Sequence, residues 1–167
     1  HSKAHLQHSE SAEDTTMSKM KFEDHLTSMG VKALHCHADN GIFAATKWRN
    51  EFTKKGQTLS FAGAGAHHQN GAAERKIRDL TDLSRTMSVH AMRHWPEAIT
   101  THLWPHALRM ASDVTNNSPT ARTEDDCTSL QKMSNSDVDI NWNHWHTFGA
   151  PTHNLLPPLQ QEPRTHD

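Results

Sequence analysis

The chain has 167 residues, of which 34% are hydrophobic, and carries a formal net charge of -2 with its sixteen histidines counted as neutral. That length suits one domain, the low apolar fraction promises a thin core, and the near-zero charge excludes the strongly basic composition of a dedicated nucleic-acid-binding chain. No apolar run approaches the roughly 20 residues needed to cross a bilayer and no signal peptide opens the chain. The two cysteines, Cys36 and Cys127, are far apart and fit reduced intracellular thiols rather than a disulfide framework.

In chain order, residues 1–16 are polar and offer one short strand-like stretch near Leu6. Residues 17–29, with Met20, Phe22 and Leu26 apolar, predict a helix that stops at Gly30. Residues 31–38 read as a strand, and Asn40-Gly41 supplies turn chemistry after it. Asp39 therefore falls at the C-terminal end of that strand, a common place for a catalytic side chain in an open α/β sheet. Residues 44–55 predict a second helix stopped by Gly56, with Trp48 and Phe52 marking its buried face at i,i+4. A strand follows over 58–61, and the glycine-rich stretch 63–71 fits neither a dinucleotide nor a Walker fingerprint and reads as a loop. Beyond it Ala73, Ile77, Leu80, Met87 and Ala91 recur at helical spacing, so Glu74 projects from the first turn of a helix. Residues 97–114 predict another helix, kinked or split at Pro105. Over 120–143 the composition turns to Ser, Thr, Asp and Asn, as in a linker, and residues 144–167 form a last, poorly ordered segment in which Pro157-Pro158 adds no fold signal.

Chemistry concentrates in two motifs, His37-Ala38-Asp39-Asn40-Gly41 and His68-Gln69-Asn70-Gly71-Ala72-Ala73-Glu74-Arg75-Lys76, which set Asp39 and Glu74 35 positions apart. Two hard carboxylates converging from a strand end and a helix start are what magnesium needs, because that ion takes few protein oxygens and keeps its other positions for water and phosphate. With two ions, the attacking and leaving oxygens of an in-line phosphoryl transfer are both stabilised. On the helix that follows, Glu74, Arg78, Thr81 and Arg85 share a face, flanked by Arg75 and Lys76, and these cations suit a phosphate backbone lying across the metal site. Gln69 and Asn70 offer amide hydrogen bonds to the same strand. Without the Asp39 motif, Glu74 and Arg78 read better as an i,i+4 surface ion pair worth a few tenths of a kcal/mol.

The histidines invite a different chemistry, since His35, His37, His67 and His68 are imidazoles of the kind that hold transition metals. The paired spacings of a zinc finger are missing, and His35, Cys36 and His37 alternate on a strand, with Cys36 facing away from its neighbours. Most of the sixteen read as surface or half-buried side chains.

The linked acidic motifs resemble the integrase catalytic core of copia-type long-terminal-repeat retrotransposons, within the RNase H-like polynucleotidyl transferases. The likeness extends to Phe22-Glu23, Gly30-Val31, Ile42-Phe43, Trp95-Pro96, Leu103-Trp104-Pro105-His106-Ala107 and Asn117-Ser118-Pro119, and a fainter echo covers His146-Thr147-Phe148-Gly149-Ala150-Pro151 and Leu159-Gln160. It implies an α/β, partial RNase H-like fold over residues 1–119 with the first strands missing. It also implies Mg2+ or Mn2+ held by Asp39 and Glu74, 3'-end processing and strand transfer on element and target DNA, a homo-oligomeric intact integrase, and a nuclear location or a cytoplasmic particle before nuclear entry. Two departures accompany it. The interval between the two acids is one residue shorter than usual, and the family's first aspartate lies further upstream than the 38 residues before Asp39, where only Asp14 and Asp24 occur in helix-like surroundings. The chain thus resembles a core truncated at its N-terminus, of low stability alone. Two other readings stay open: a catalytically inactive remnant that only binds DNA, and a histidine-rich metal-binding protein.

Overall fold

A computed structural model describes residues 1–7, 9, 11–38, 46–63, 70–119, 126–136 and 141–152. The architecture is mixed α/β, with helix predominating over a sheet of two parallel strands. Helix α1 spans Ala12–Ser28. It starts earlier than its apolar spacing predicts because Ser11 is an N-cap whose Oγ accepts from the Asp14 N–H at 3.1 Å. It ends where expected: Gly30 adopts φ +75°, and the Gly30 and Val31 N–H groups donate to the carbonyls of Thr27 and Leu26. Leu6 belongs to no strand.

Strand β1 is His35–Ala38, shorter than the apolar pattern allows, and β2 is Thr58–Phe61, with the predicted bounds. The two pair in parallel, His35 beside Thr58 through Ala38 beside Phe61, and the ladder extends from Thr58 N–H on Leu34 C=O to Ala62 N–H on Ala38 C=O, each 2.9 Å. Parallel neighbours need a crossover, and helix α2, Thr46–Lys54, lies between them. Trp48 and Phe52 are each 3% exposed on its inner face, ring centroids 5.2 Å apart, as their spacing predicts.

A polar knot ties α1 to this unit. The Glu23 carboxylate accepts from Lys19 at 2.5 Å, from Lys55 at 2.6 Å and from Gln57 Nε2 at 2.7 Å. Gln57 Nε2 also donates to the Ala33 carbonyl at 3.0 Å and Gln57 Oε1 accepts from Lys19 at 2.8 Å, so one amide joins the approach to β1, the approach to β2 and the helix. Lys19 Nζ stands 4.1 Å from the Phe52 ring centroid, a cation–π contact that continues the polar knot into the apolar core.

Helix α3, Gly71–His94, and helix α4, Trp104–Asn117, form a hairpin. Their buried positions are small: Ala91, Ala107 and Ala111 are fully buried and Ser84 and Ser112 nearly so, which lets two helices approach closely. Pro105 does not kink a longer helix; it occupies the first turn of α4, where a missing N–H leaves no intrahelical bond unmade. A 3-10 turn at Thr101–Leu103 precedes it. Ser2 lies along α4, its N–H donating to Asn116 Oδ1 and its carbonyl accepting from Ser112 Oγ, both at 2.8 Å.

Helix α5, Ser129–Ser134, packs on α4 inside the span whose composition predicts a linker. Its signal is a capping box, Thr128 with Gln131, which composition alone conceals. Of the last segment, residues 144–152 are described, and Gly149 lies against the Ala91 and Ile99 side chains at φ +79°. Neither cysteine is in a disulfide, and burial pushes the Cys36 thiol up. Among the described residues no helix is long and apolar enough to cross a membrane.

Burial disfavours the charged form of Glu23, yet the hydrogen bonds from Lys19, Lys55 and Gln57 outweigh it and hold the carboxyl below its ordinary 4.5. A depressed folded-state pKa contributes stability above the unfolded value, and that contribution is lost as pH falls through the folded value. Glu23→Gln is expected to destabilise the chain by about 3 kcal/mol at pH 7, because the nearly buried Lys19 loses its counter-charge. Urea unfolding followed by circular dichroism checks this, and the difference from wild type should shrink as the pH is lowered below 4.5.

Gly149→Ala places a Cβ 2.7 Å from Ile99 Cδ1 and 2.9 Å from Ala91 Cβ at a left-handed φ. A loss of about 1–3 kcal/mol is expected for such overpacking. Faster amide exchange over residues 141–152, with α1 unaffected, is the local signature to look for.

Candidate functional site

Ladder pairing fixes the exit of β1. Ala38, 6% exposed, is its last described residue, and Asp39 is the next residue in the sequence. Asp39 and Gln69 both lie outside the described residues. Because β1 and β2 are parallel, both chains leave the sheet at the same end, and residues 62–70 lead from the end of β2 to α3.

Glu74 occupies the first turn of α3, where an acidic side chain complements the positive end of the helix. It is exposed, and among the described residues no ion pair or hydrogen bond engages its carboxylate. The i,i+4 pairing with Arg78 is therefore not formed. Asn70 is the residue before the helix, half-buried, and its side chain makes no capping bond, which leaves its amide for another partner.

Glu74, Arg78, Thr81 and Arg85 are all exposed, on the face of α3 turned away from the buried Leu80, Ser84 and Ala91. The Thr81 hydroxyl donates back to the Ile77 carbonyl at 2.8 Å, so it presents no free proton to a ligand. Arg75 is exposed and Lys76 half-buried beside this face. Arg78, Arg85 and the more distant Arg93 enter no ion pair among the described residues.

The surface continues past Arg85, the last cation that the sequence pattern singles out. Arg85, Thr86, Val89, His90 and Arg93 line an open groove of about 360 Å³, and the rings of His90 and His94 lie 4.5 Å apart beyond it. The signal for Arg93 is its place eight residues after Arg85, two turns along the same helix.

Glu74, exposed at a helix N-terminus and without a cation partner among the described residues, is a hard oxygen donor of the kind a divalent ion takes. Among the described residues, no three His, Cys, Asp or Glu side chains gather around one point. Arg78 and Arg85 share their exposed face with Asp82, four residues after the one and three before the other, so the face carries both signs of charge. If this face holds a phosphate backbone, as the resemblance implies, Arg78→Ala with Arg85→Ala weakens binding to duplex DNA of any sequence and lowers the slope of log K against log salt by about 0.9 for each phosphate no longer neutralised. Fluorescence anisotropy across a salt series checks it, with Lys32→Ala, a substitution at an exposed position outside α3, leaving the slope unchanged.

Compared with known proteins, the chain matches no protein-family model and no curated protein sequence.

Proposed function

We propose that the chain is part of the catalytic core of a copia-type retrotransposon integrase, with an RNase H-like fold, acting in metal-dependent 3'-end processing and strand transfer on DNA. The observation that carries the reading is the order of elements around the two acids. A strand, a helix, a parallel strand and a long helix with Glu74 in its first turn follow one another, and the two motifs fall after the first strand and at the start of that last helix, which supports the reading. An isolated Asp-Asn-Gly would carry little; the linked pair set in this topology carries much more.

In this reading Asp39 and Glu74 hold Mg2+ or Mn2+, together with a further acidic donor that the family places upstream of Asp39. The bound metal supplies charge stabilisation for the attacking and leaving oxygens of phosphoryl transfer. The chain's own contribution is positioning. Asp39 follows the last residue of β1 in the sequence, and Glu74 stands in the first turn of α3. Arg75, Lys76, Arg78 and Arg85 hold the phosphate backbone beside that edge, and Gln69 and Asn70 contact the DNA end. The partners are the element's DNA ends and target DNA, in a homo-oligomer, and the location is the nucleus or a cytoplasmic particle before nuclear entry.

Within a core that supplies the upstream acid, Asp39→Asn and Glu74→Gln are each expected to abolish strand transfer while leaving salt-sensitive DNA binding within about twofold of wild type. A strand-transfer gel and anisotropy on the same preparations check this. Parallel loss of binding and transfer would instead assign the two acids to the fold.

A further inference from the structure

The exposed face of the parallel pair carries a group of side chains that phosphoryl transfer does not use. His35 pairs with Thr58 and His37 with Ser60, and strand alternation puts all four on the same side, away from the buried Ala38. His35 Nδ1 lies 2.7 Å from Thr58 Oγ1, His35 Nε2 lies 2.9 Å from Ser60 Oγ, and His37 Nδ1 lies 2.8 Å from that same Ser60 Oγ. Two imidazole nitrogens from different residues thus converge on one small, rotatable hydroxyl.

The hydrogen-bond directions decide which nitrogen is a lone-pair donor. Thr58 Oγ1 gives its own proton to the Leu34 carbonyl at 3.2 Å, so it accepts from His35 Nδ1–H. His35 is therefore the Nδ1–H tautomer, with the Nε2 lone pair aimed at Ser60. A second ring N–H held by an oxygen is how proteins orient an imidazole toward a metal. We propose that His35 and His37 form a two-imidazole site for a borderline divalent ion of the Zn2+ type, water completing the coordination.

For this the Ser60 side chain rotates aside, and the ion takes the place of its hydroxyl between the rings. His35 already offers Nε2; His37 binds through Nδ1 once its proton has moved to Nε2 by way of solvent, so no net proton is released. Zinc–nitrogen bonds of about 2.0–2.1 Å are shorter than the present contacts to oxygen, and rotation of two exposed rings closes the gap. Imidazole favours zinc, copper and nickel over magnesium, so this site is chemically separate from the carboxylates at Asp39 and Glu74.

The test is a Zn2+ titration of the full chain labelled with 15N at histidine, reading the imidazole nitrogens by long-range 1H–15N correlation. The proposal expects the first equivalent to shift His35 Nε2 and His37 Nδ1. His35→Gln and His37→Gln should each weaken that binding by about tenfold or more, Ser60→Ala should retain it, and neither excess Mg2+ nor Asp39→Asn should displace it. Circular dichroism of each variant confirms that the fold survives. A first equivalent that moves other imidazoles and leaves these two in place overturns the proposal, as does a smaller loss in both variants. Loss of zinc in Asp39→Asn or under Mg2+ would assign the ion to the carboxylate site.

Discussion

The carboxylate of Glu23 receives two ammonium groups and an amide in a position from which water is largely excluded, its side chain 11% exposed and that of Lys19 9%. Each donor belongs to a different part of the chain: Lys19 to α1 itself, Lys55 to the end of α2, Gln57 to the residue before β2. Removing the Lys19 and Glu23 charges from water is tolerable only when both are satisfied, and Gln57 together with the more exposed Lys55 completes that satisfaction. The knot therefore admits one arrangement of α1, the α2 turn and the approach to β1, and the register of the two strands follows from it. A sheet of two strands has little packing of its own, so this polar constraint does what a wider sheet would do by burial.

From that register the rest of the site follows. Parallel pairing sends both strands out at one end, so the chain leaves Ala38 toward Asp39 on the side from which residues 62–70 run to α3. The α3–α4 pair buries mostly small residues, and a flanking face of α3 with Glu74, Arg78, Asp82 and Arg85 stays exposed. Large apolar side chains such as Leu34 and Ile77, each 65% exposed, show how thin the apolar cover is around this frame. A thin core of this sort agrees with the low hydrophobic fraction of the chain.

What is legible in the sequence is what local pattern determines. Trp48 and Phe52 at i,i+4, the short β-prone run 58–61, the stop at Gly30 and the helix that carries Glu74 all rest on periodicity or on one backbone-permissive residue, and each is present. Caps are less legible: Ser11 and the Thr128–Gln131 box start helices in polar stretches where apolar spacing is silent. Pro105 reads as a break because its place relative to a helix start is invisible until the start is known. Long-range contacts are not legible at all. Nothing local marks Asn116 as the partner of Ser2, 114 residues away, or Gly149 as the residue that must meet Ala91. Of the candidate site, the shared face of Glu74, Arg78 and Arg85 follows from helical geometry, whereas the missing Glu74–Arg78 pair and the groove reaching Arg93 depend on the folded structure.

In the proposed function Asp39 and Glu74 bring divalent metal to one edge of the fold from two parts of the chain. The most direct test is to add sub-stoichiometric Mn2+ to the 15N-labelled chain and map paramagnetic broadening of the backbone amides. Simultaneous broadening around residues 39 and 74, relieved by excess Mg2+ and abolished by Glu74→Gln at both places, is the predicted result. Broadening confined to one of the two, or centred on the histidines of β1, would contradict it.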